Sequence, residues 1–375
     1  MKIGIITDFV DEQLGGIGTY THDIVEALLS IDKNNDYFLI HGRVIDIDIY
    51  REHDQILIEK TDFGPGSTYF WRYIKLPYQL KSLSSLDLVH DPYEIGPLSF
   101  RLPFKKLITI HDLAPMLYPE TCSFVNSLAH RLLLRRTAQT VDKIVTDSYS
   151  SKMDIVKYLG ISEENIAVIP GGVHPRFSQL SPEEMKIDDK SYEIPSKFIL
   201  YVGTLEPRKN IPNLIRAYNR LKEAGLEHKL VIVGKTGWKY KSIFKIIYDL
   251  NLSKDVILTG YIPECDLPKI YNAADLFVYP SLYEGFGLPP LEAMACGCPV
   301  ITSNTSSLPE VVGQAGIMVN PHDIKELANT MYTVLTDEGL RTTMIERGLQ
   351  QAKKFNWNIS AKRLLYEYQS IFEQI

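Results

Sequence analysis

Cysteine is scarce in this chain: four in 375 residues, Cys122, Cys265, Cys296 and Cys298, with only the last two close together. So few cannot hold a disulfide scaffold, and they fit a reducing cytoplasm. Cys296-Gly-Cys298 lacks a second cysteine or histidine pair at a spacing that completes a tetrahedral zinc site, so both are read as small core residues. Positive charge is also short. With 40 Lys and Arg against 46 Asp and Glu, the net charge of -6 argues against a basic face broad enough for a phosphate backbone, and nucleic acid is not an expected partner. Residues 1–7 carry one lysine and an apolar run too short for a signal-peptide core or a spanning helix, so neither export nor membrane insertion is expected.

What is present is the material of a folded protein, 45% hydrophobic and 23% charged. The length exceeds what one hydrophobic core usually supports, so two domains are expected. Short continuous apolar runs alternate with helical patterns, as in parallel sheets buried on both faces. In the first half the predicted strands are 3–7, 37–41, 56–59, 86–90, 106–110, 143–146 and 166–169. The apolar stripe Tyr20, Ile24, Ala27, Leu28 and Ile31 marks a helix that packs on a sheet. A polar stretch follows Pro170-Gly-Gly-Val173, and the pattern restarts with strands at 198–202, 229–233, 256–258, 276–279, 300–302 and 316–319. The fold class is therefore α/β, two doubly wound Rossmann-like domains. Their expected bounds are 1–173 and 197–355, with a linker at 174–196 and a helix at 356–375 that crosses back to the first domain.

The segment Glu284-Gly-Phe-Gly-Leu-Pro-Pro-Leu-Glu292 lies between the run 276–280 and a helical pattern at 291–295. That makes it a loop at a strand's carboxyl end, where open α/β sheets hold ligands. Gly285 and Gly287 let backbone approach a ligand, Pro289 and Pro290 suit a first helical turn, and free N–H groups there make an anion site fit for a diphosphate. Glu284 and Glu292 would flank one hydroxyl-rich ligand, which means a sugar. The bland alternative is a Glu292 that favours a helix start by at most about 1 kcal/mol and a solvated Glu284. Against it stands Gly203-Thr-Leu-Glu-Pro-Arg-Lys-Asn210, which also follows a buried strand and opens a helix. Arg208 and Lys209 there could meet the charge of a leaving pyrophosphate, the role a metal fills elsewhere.

In Gly15-Gly-Ile-Gly-Thr-Tyr20, Gly16 opens a GxGxxG, but Thr21 takes the third glycine's place and residues 8–14 separate strand from glycines. No ribose-binding acid follows the second strand at His41-Gly-Arg43, so a glycine-rich loop near a phosphate or an acceptor is preferred to a nicotinamide site. His111-Asp112 ends a strand at the sheet edge, and Ser148 and Ser150 are read as a helix cap. Between residues 60 and 152, 12 Lys and Arg face 8 Asp and Glu; within that stretch 69–75 and 130–136 mix basic with large apolar residues. Such segments suit anionic lipid or an anionic acceptor, or are plain amphipathic helices with solvated bases.

Together these segments resemble, over nearly the full length, the retaining glycosyltransferases of GT-B architecture known as family four or group one. The resemblance rests on Gly15 to Gly18, His111-Asp112, Val168-Ile-Pro-Gly-Gly-Val173, Pro207-Arg-Lys-Asn210, and Glu284 and Glu292 with seven residues between. It implies two domains facing across a cleft. It also implies that Arg208 and Lys209 hold the donor diphosphate, that Glu292 binds the ribose, and that Glu284 with the Phe286, Gly287 and Leu288 backbone contacts the transferred sugar. His111 would face that sugar, Gly16 would approach the donor, and the backbone at Tyr261 and Ile262 would receive the base. Many members carry arginine at the position of Thr204, and Arg208 is the substitute here. The implied reaction transfers a hexose, mannose or glucose, from a GDP- or UDP-linked donor to a glycan or lipid-linked acceptor. It proceeds with retention, with no metal or other cofactor, and with Arg208, Lys209, Glu284 and His111 as catalytic groups. The expected location is cytoplasmic, peripheral at the inner face of an anionic membrane through the first domain. The alternatives are another nucleotide-sugar enzyme on this fold, an epimerase or phosphorylase, or a non-catalytic nucleotide-sugar binder.

Overall fold

The computed structural model describes residues 1–11, 15–64, 66–122, 124–181, 183–185 and 192–373. The chain forms two compact units, one made of 1–117, 124–172 and 356–375, the other of 118–123 and 173–355. The first holds a seven-stranded sheet of β1 (Lys2–Ile6), β2 (Asp36–His41), β3 (Gln55–Leu57), β4 (Leu88–Asp91), β5 (Lys105–Thr109), β6 (Lys143–Thr146) and β7 (Ile166–Val168), in the order β3-β2-β1-β4-β5-β6-β7. The second holds six strands, β8 (Phe198–Val202), β9 (Lys229–Val233), β10 (Val256–Gly260), β11 (Leu276–Tyr279), β12 (Val300–Ser303) and β13 (Ile317–Val319), ordered β10-β9-β8-β11-β12-β13. Every pairing is parallel. All thirteen predicted strands are present, with ends shifted by two residues at most. They were readable because helices cover both faces, so that β8, Phe-Ile-Leu-Tyr-Val, is buried at every position.

The last helix, Trp357–Glu373, buries Trp357, Leu364, Tyr368 and Ile371 in the first unit, where it packs against the helix Gly15–Ile31. Burying each such side chain contributes roughly 1.5–3 kcal/mol. Tyr368 fixes its register. Its hydroxyl meets His90 Nδ1 at 2.8 Å, and His90 Nε2 meets Thr109 Oγ1 at 2.9 Å, which joins the helix to β4 and β5. Burial pushes His90 down to about 3, so a neutral ring fills the gap between two hydroxyls.

The glycines 15–18, expected as a loop, are instead the first turn of the helix Gly15–Ile31, with Gly15 at φ 50°; residues 12–14 of the approach lie outside the described residues. Of the expected linker 174–196, residues 182 and 186–191 likewise lie outside. The described part packs on the second unit: Phe177 is buried in its core, Arg176 pairs with Glu264 at 2.8 Å, and Leu180 N donates to Asn272 at 2.9 Å. Packing, rather than sequence polarity, decides the course of this stretch.

Two of the chain's passes between the units, at 172–173 and 355–356, lie side by side. Val173 N donates to Phe355 O at 3.1 Å, and a carbon placed on Gly172 would lie 2.4 Å from Trp357 N. Only glycine fits between those backbones. Gly172→Ala is therefore expected to cost about 1–3 kcal/mol and to speed hydrogen exchange in the first turns of the Trp357–Glu373 helix; unchanged exchange there would contradict the contact.

Candidate active site

In each sheet the winding reverses beside the first strand: β1 lies between β2 and β4, and β8 between β9 and β11. Ligands of open α/β sheets bind beyond the strand carboxyl ends at such points. In the second unit the loops leaving β8 and β11 carry Arg208, Lys209 and Glu284, and they are stitched together. Asn210, left-handed at φ 58°, starts the helix Ile211–Glu223, a conformation asparagine tolerates better than most residues. Its Nδ2 donates to Pro280 O at 3.1 Å and Pro321 O at 2.7 Å, while Leu282 N donates to Arg208 O at 2.8 Å.

That stitching brings the predicted cations onto the predicted carboxylate. Lys209 Nζ lies 2.7 and 2.9 Å from the two Glu284 oxygens and 2.9 Å from the Tyr279 hydroxyl. Arg208 Nη1 donates to Glu284 Oε2 at 2.8 Å and to Tyr283 O at 2.6 Å, and Nη2 reaches Glu206 at 2.9 Å. Burial alone would raise the Glu284 carboxyl, but Arg208 and Lys209 outweigh it and hold the group at about 2. Burial first, and Arg208 second, draw the Lys209 ammonium below its usual range, with Glu284 opposing. Thr204 is exposed and outside this cluster.

The loop holding Glu284 is seated on residues after β12. Ser306 Oγ accepts from Glu284 N at 2.9 Å, and Ser307 Oγ donates to the carbonyls of Glu284 and Phe286 at 2.9 and 2.6 Å. Phe286 buries its ring against Phe355. Gly287, at φ 130°, caps the helix Leu288–Ala295, and a side-chain carbon there would meet Leu308 at 2.9 Å. One expectation needs correction. Because the helix begins at Leu288, Pro289 and Pro290 occupy its second and third positions and have no N–H, so Leu288 alone offers a first-turn donor. Any anion site here draws on that amide and on the loop before it, not on a full turn of free amides.

Glu292 sits in the second turn of this helix and accepts from the Tyr271 hydroxyl at 2.8 Å. Tyr261 and Ile262 follow β10; Ile262 is buried, while the exposed Tyr261 ring carries Lys235 Nζ at 4.4 Å. Cys296 and Cys298 are core residues, as expected.

In the first unit, His111 Nδ1 meets Asp147 Oδ2 at 2.6 Å and Nε2 meets Pro92 O at 3.1 Å. A carbonyl only accepts, so Nε2 bears a proton, and the carboxylate takes a second from Nδ1. The ring is an imidazolium. Burial would lower it, yet Asp147 more than compensates and lifts it to about 9. His111 therefore presents a positive charge rather than a lone pair able to take a proton. Ser151 N donates to Ser148 Oγ at 3.1 Å, which makes Ser148 the expected cap. At the β1/β4 reversal a buried Arg72 joins Asp8 to Asp91 and lies against the paired rings of Phe9 and Tyr93, each 5.0 Å away. A carbon on Gly16 would meet nothing within 4 Å. Among the described residues, His22, Asp23 and Glu26 alone group closely enough to share an ion, and acidic clusters on helices are common without one.

Sequence reasoning missed Asn210, Ser306, Ser307, Tyr271 and Asp147. Asn210 stood next to the predicted basic pair and could have been marked as the helix cap; the others are joined to the site only through the fold.

Two doubly wound units with a largely enclosed Arg-Lys-Glu cluster at a winding reversal are the makings of a GT-B nucleotide-sugar glycosyltransferase. Residues 14–177 match the family model Glycosyltransferase Family 4, and residues 184–351 match Glycosyl transferases group 1. The O-antigen chain mannosyltransferase B of Escherichia coli is 30% identical over 98% of this chain and 99% of its own length. A serotype-specific mannosyltransferase WbdA of Escherichia coli is 34% identical over 71% of this chain, which spans 34% of that longer protein. In fold, the chain is similar to a sucrose-phosphate synthase from Thermosynechococcus elongatus (TM-score 0.83, 22% identity, 100% of both chains). Anabaena HepE in complex with UDP and glucose gives a TM-score of 0.78 at 21% identity over 99% of both chains. This chain belongs to the group 1, family 4 glycosyltransferases, and it is an enzyme that uses a nucleotide-sugar donor.

His111, raised from 6.5 to about 9 in the folded chain, contributes stability that is complete below pH 6.5 and fades as pH climbs through 9. In Asp147→Asn the ring should titrate well below the wild-type value of about 9, because burial is then opposed only by Glu94 and the Pro92 carbonyl, and the alkaline loss of stability should shrink. Imidazole NMR titration and denaturant melts across this range test both; a wild-type ring titrating near 6.5 would refute the assignment.

Proposed function

We propose that this glycosyltransferase moves mannose from a GDP- or UDP-linked donor to a glycan or lipid-linked acceptor of a surface polysaccharide, with retention of configuration and without a divalent metal. The observation that carries this is the Lys209–Glu284–Arg208 cluster, one buried and one half-buried cation fixed by one buried carboxylate where an α/β sheet takes its ligand. As the diphosphate leaves, its growing charge falls on Arg208, Lys209 and the Leu288 amide, already held in place and shielded from water. Glu284 orients the cations and accepts from hydroxyls of the transferred sugar, Glu292 serves the ribose, and the Tyr261–Ile262 backbone serves the base. His111 supplies a fixed positive charge toward the sugar. Mannose is favoured by the relatives named mannosyltransferases. The protein works at the cytoplasmic side of a membrane, held peripherally by its first unit.

The test is mass-spectrometric detection of nucleoside diphosphate release from GDP-mannose, UDP-glucose and related donors with a mannose-containing acceptor. GDP-mannose should turn over, undiminished by chelator. Lys209→Ala should lower kcat/KM about a hundredfold or more, in keeping with loss of a charge that stabilises a leaving group. Glu284→Gln should lower turnover while still binding nucleoside diphosphate, since the cations remain. Chelator-sensitive activity would refute metal independence, and full activity in Lys209→Ala would refute the assigned leaving-group role.

A further inference from the structure

We propose that one helical face of the first unit is a docking surface for an anionic lipid bilayer; the idea rests on the peripheral location above and specifies the residues that make the contact. Helical stretches 67–80, 124–140 and 149–159 cover the same side of the sheet. Trp71, Leu76, Leu134, Ala138, Ile155 and Leu159 share one core cluster with the strand residues Val89 and Ile144. They are neighbours: Ser99 Oγ, in the turn packed against 76–80, bonds Thr137, and Arg135 reaches toward Gly160 at the end of 149–159.

Their outer sides share one character. Phe70, Ile74 and Tyr78 lie at i, i+4 and i+8 and are exposed, Tyr78 to 74%. Leu128 and Leu132 continue the pattern on the second stretch, Leu132 at 66%, and end in the exposed Arg136. Tyr149, at 68%, and Met153 do so on the third and end in the exposed Lys157. Three rows of this kind expose more large apolar surface than isolated surface residues do. Apart from the buried Arg72, these stretches carry Lys75, Arg131, Arg135, Arg136, Lys152 and Lys157 against one acid, Asp154, in a chain whose net charge is -6. Acids are cleared from the face that is richest in exposed aliphatic and aromatic side chains. A lipid interface with anionic headgroups matches both features: rings and aliphatic tips enter the headgroup boundary while Lys and Arg meet phosphate. A water-soluble protein partner would not require acids to be absent from all three stretches.

Flotation of the purified chain with vesicles of phosphatidylcholine alone, or in equal parts with phosphatidylglycerol, tests this without donor or acceptor. The chain should float with the anionic vesicles at least about tenfold more than with neutral ones and be released by salt. The triple variant Ile74→Ser, Tyr78→Ser, Leu132→Ser should lose flotation, with donor turnover and melting temperature kept. The variant Arg131→Gln, Arg136→Gln, Lys157→Gln should lose the preference for anionic vesicles. No flotation, or equal flotation with both vesicles, overturns the proposal. So does a dimer in sedimentation velocity that the serine variant dissolves while vesicles stay unbound, which would make the face a contact between copies. Vesicle binding can fail while sugar transfer stands, and transfer can fail while flotation stands, so the two conclusions fall separately.

Discussion

Glu284 is the point on which the second unit's site turns. Its carboxylate takes hydrogen bonds from Lys209 and Arg208, which lie on a different loop. Desolvating three charges is expensive, and a buried pair commonly does no better than break even against apolar packing of the same volume. What the arrangement secures is position. Arg208 and Lys209 are each fixed at three acceptor atoms, so neither cation would need to reorganise to meet the leaving diphosphate proposed above. Preorganised charge of this sort is the largest single source of catalysis in many enzymes, and a carboxylate within the cluster keeps two like charges together when no ligand is bound. Asn210 and the serines after β12 serve the same end, since each ties a loop carbonyl or amide that would otherwise let Glu284 drift.

The strands were legible because burial on both faces leaves a mark in local sequence: four or five apolar residues in a row, then a helix. The site was legible in part. Glu284, Arg208 and Lys209 announced themselves by standing at strand ends next to helix starts. Their mutual contact did not, because 75 residues separate Lys209 from Glu284 and only the strand order places β8 beside β11. Asp147 was hidden for the same reason, 36 residues from His111 and on another strand's loop. The overcounted free amides at the Leu288–Ala295 helix start came from a different cause. Pro289 and Pro290 were taken as favouring a first turn, which they do, but the same absence of N–H that suits them to it removes donors that an anion would use.

The first unit answers its own version of the problem with different chemistry. At its winding reversal the cation Arg72 is fully enclosed, paired with two carboxylates and packed against two neighbouring rings, so it is fixed but out of reach. His111 is the accessible charge, with its side chain 13% exposed, and Asp147 maintains that charge where burial would remove it. One cation therefore braces the loop that supplies Pro92 O, and the other is held by that carbonyl, a division between support and contact that neither residue's sequence context reveals.

A net charge of -6 is no bar to either proposed encounter, with a diphosphate or with an anionic bilayer, because the two would sense it differently. Fields from exposed charges are screened over about 8 Å at physiological ionic strength. A ligand against Arg208 and Lys209 would be governed by those neighbouring groups and Glu284, so overall acidity would be nearly irrelevant to it. A flat bilayer meets a broad solvent-exposed surface and sums every charge within a screening length, so an acidic protein can approach it only along a face from which acids are missing. The stretches 67–80, 124–140 and 149–159 meet that condition, with Asp154 their single acid. The same imbalance that sequence composition registers only as a local excess of Lys and Arg becomes, once the helices are laid side by side, a directional property of the molecule.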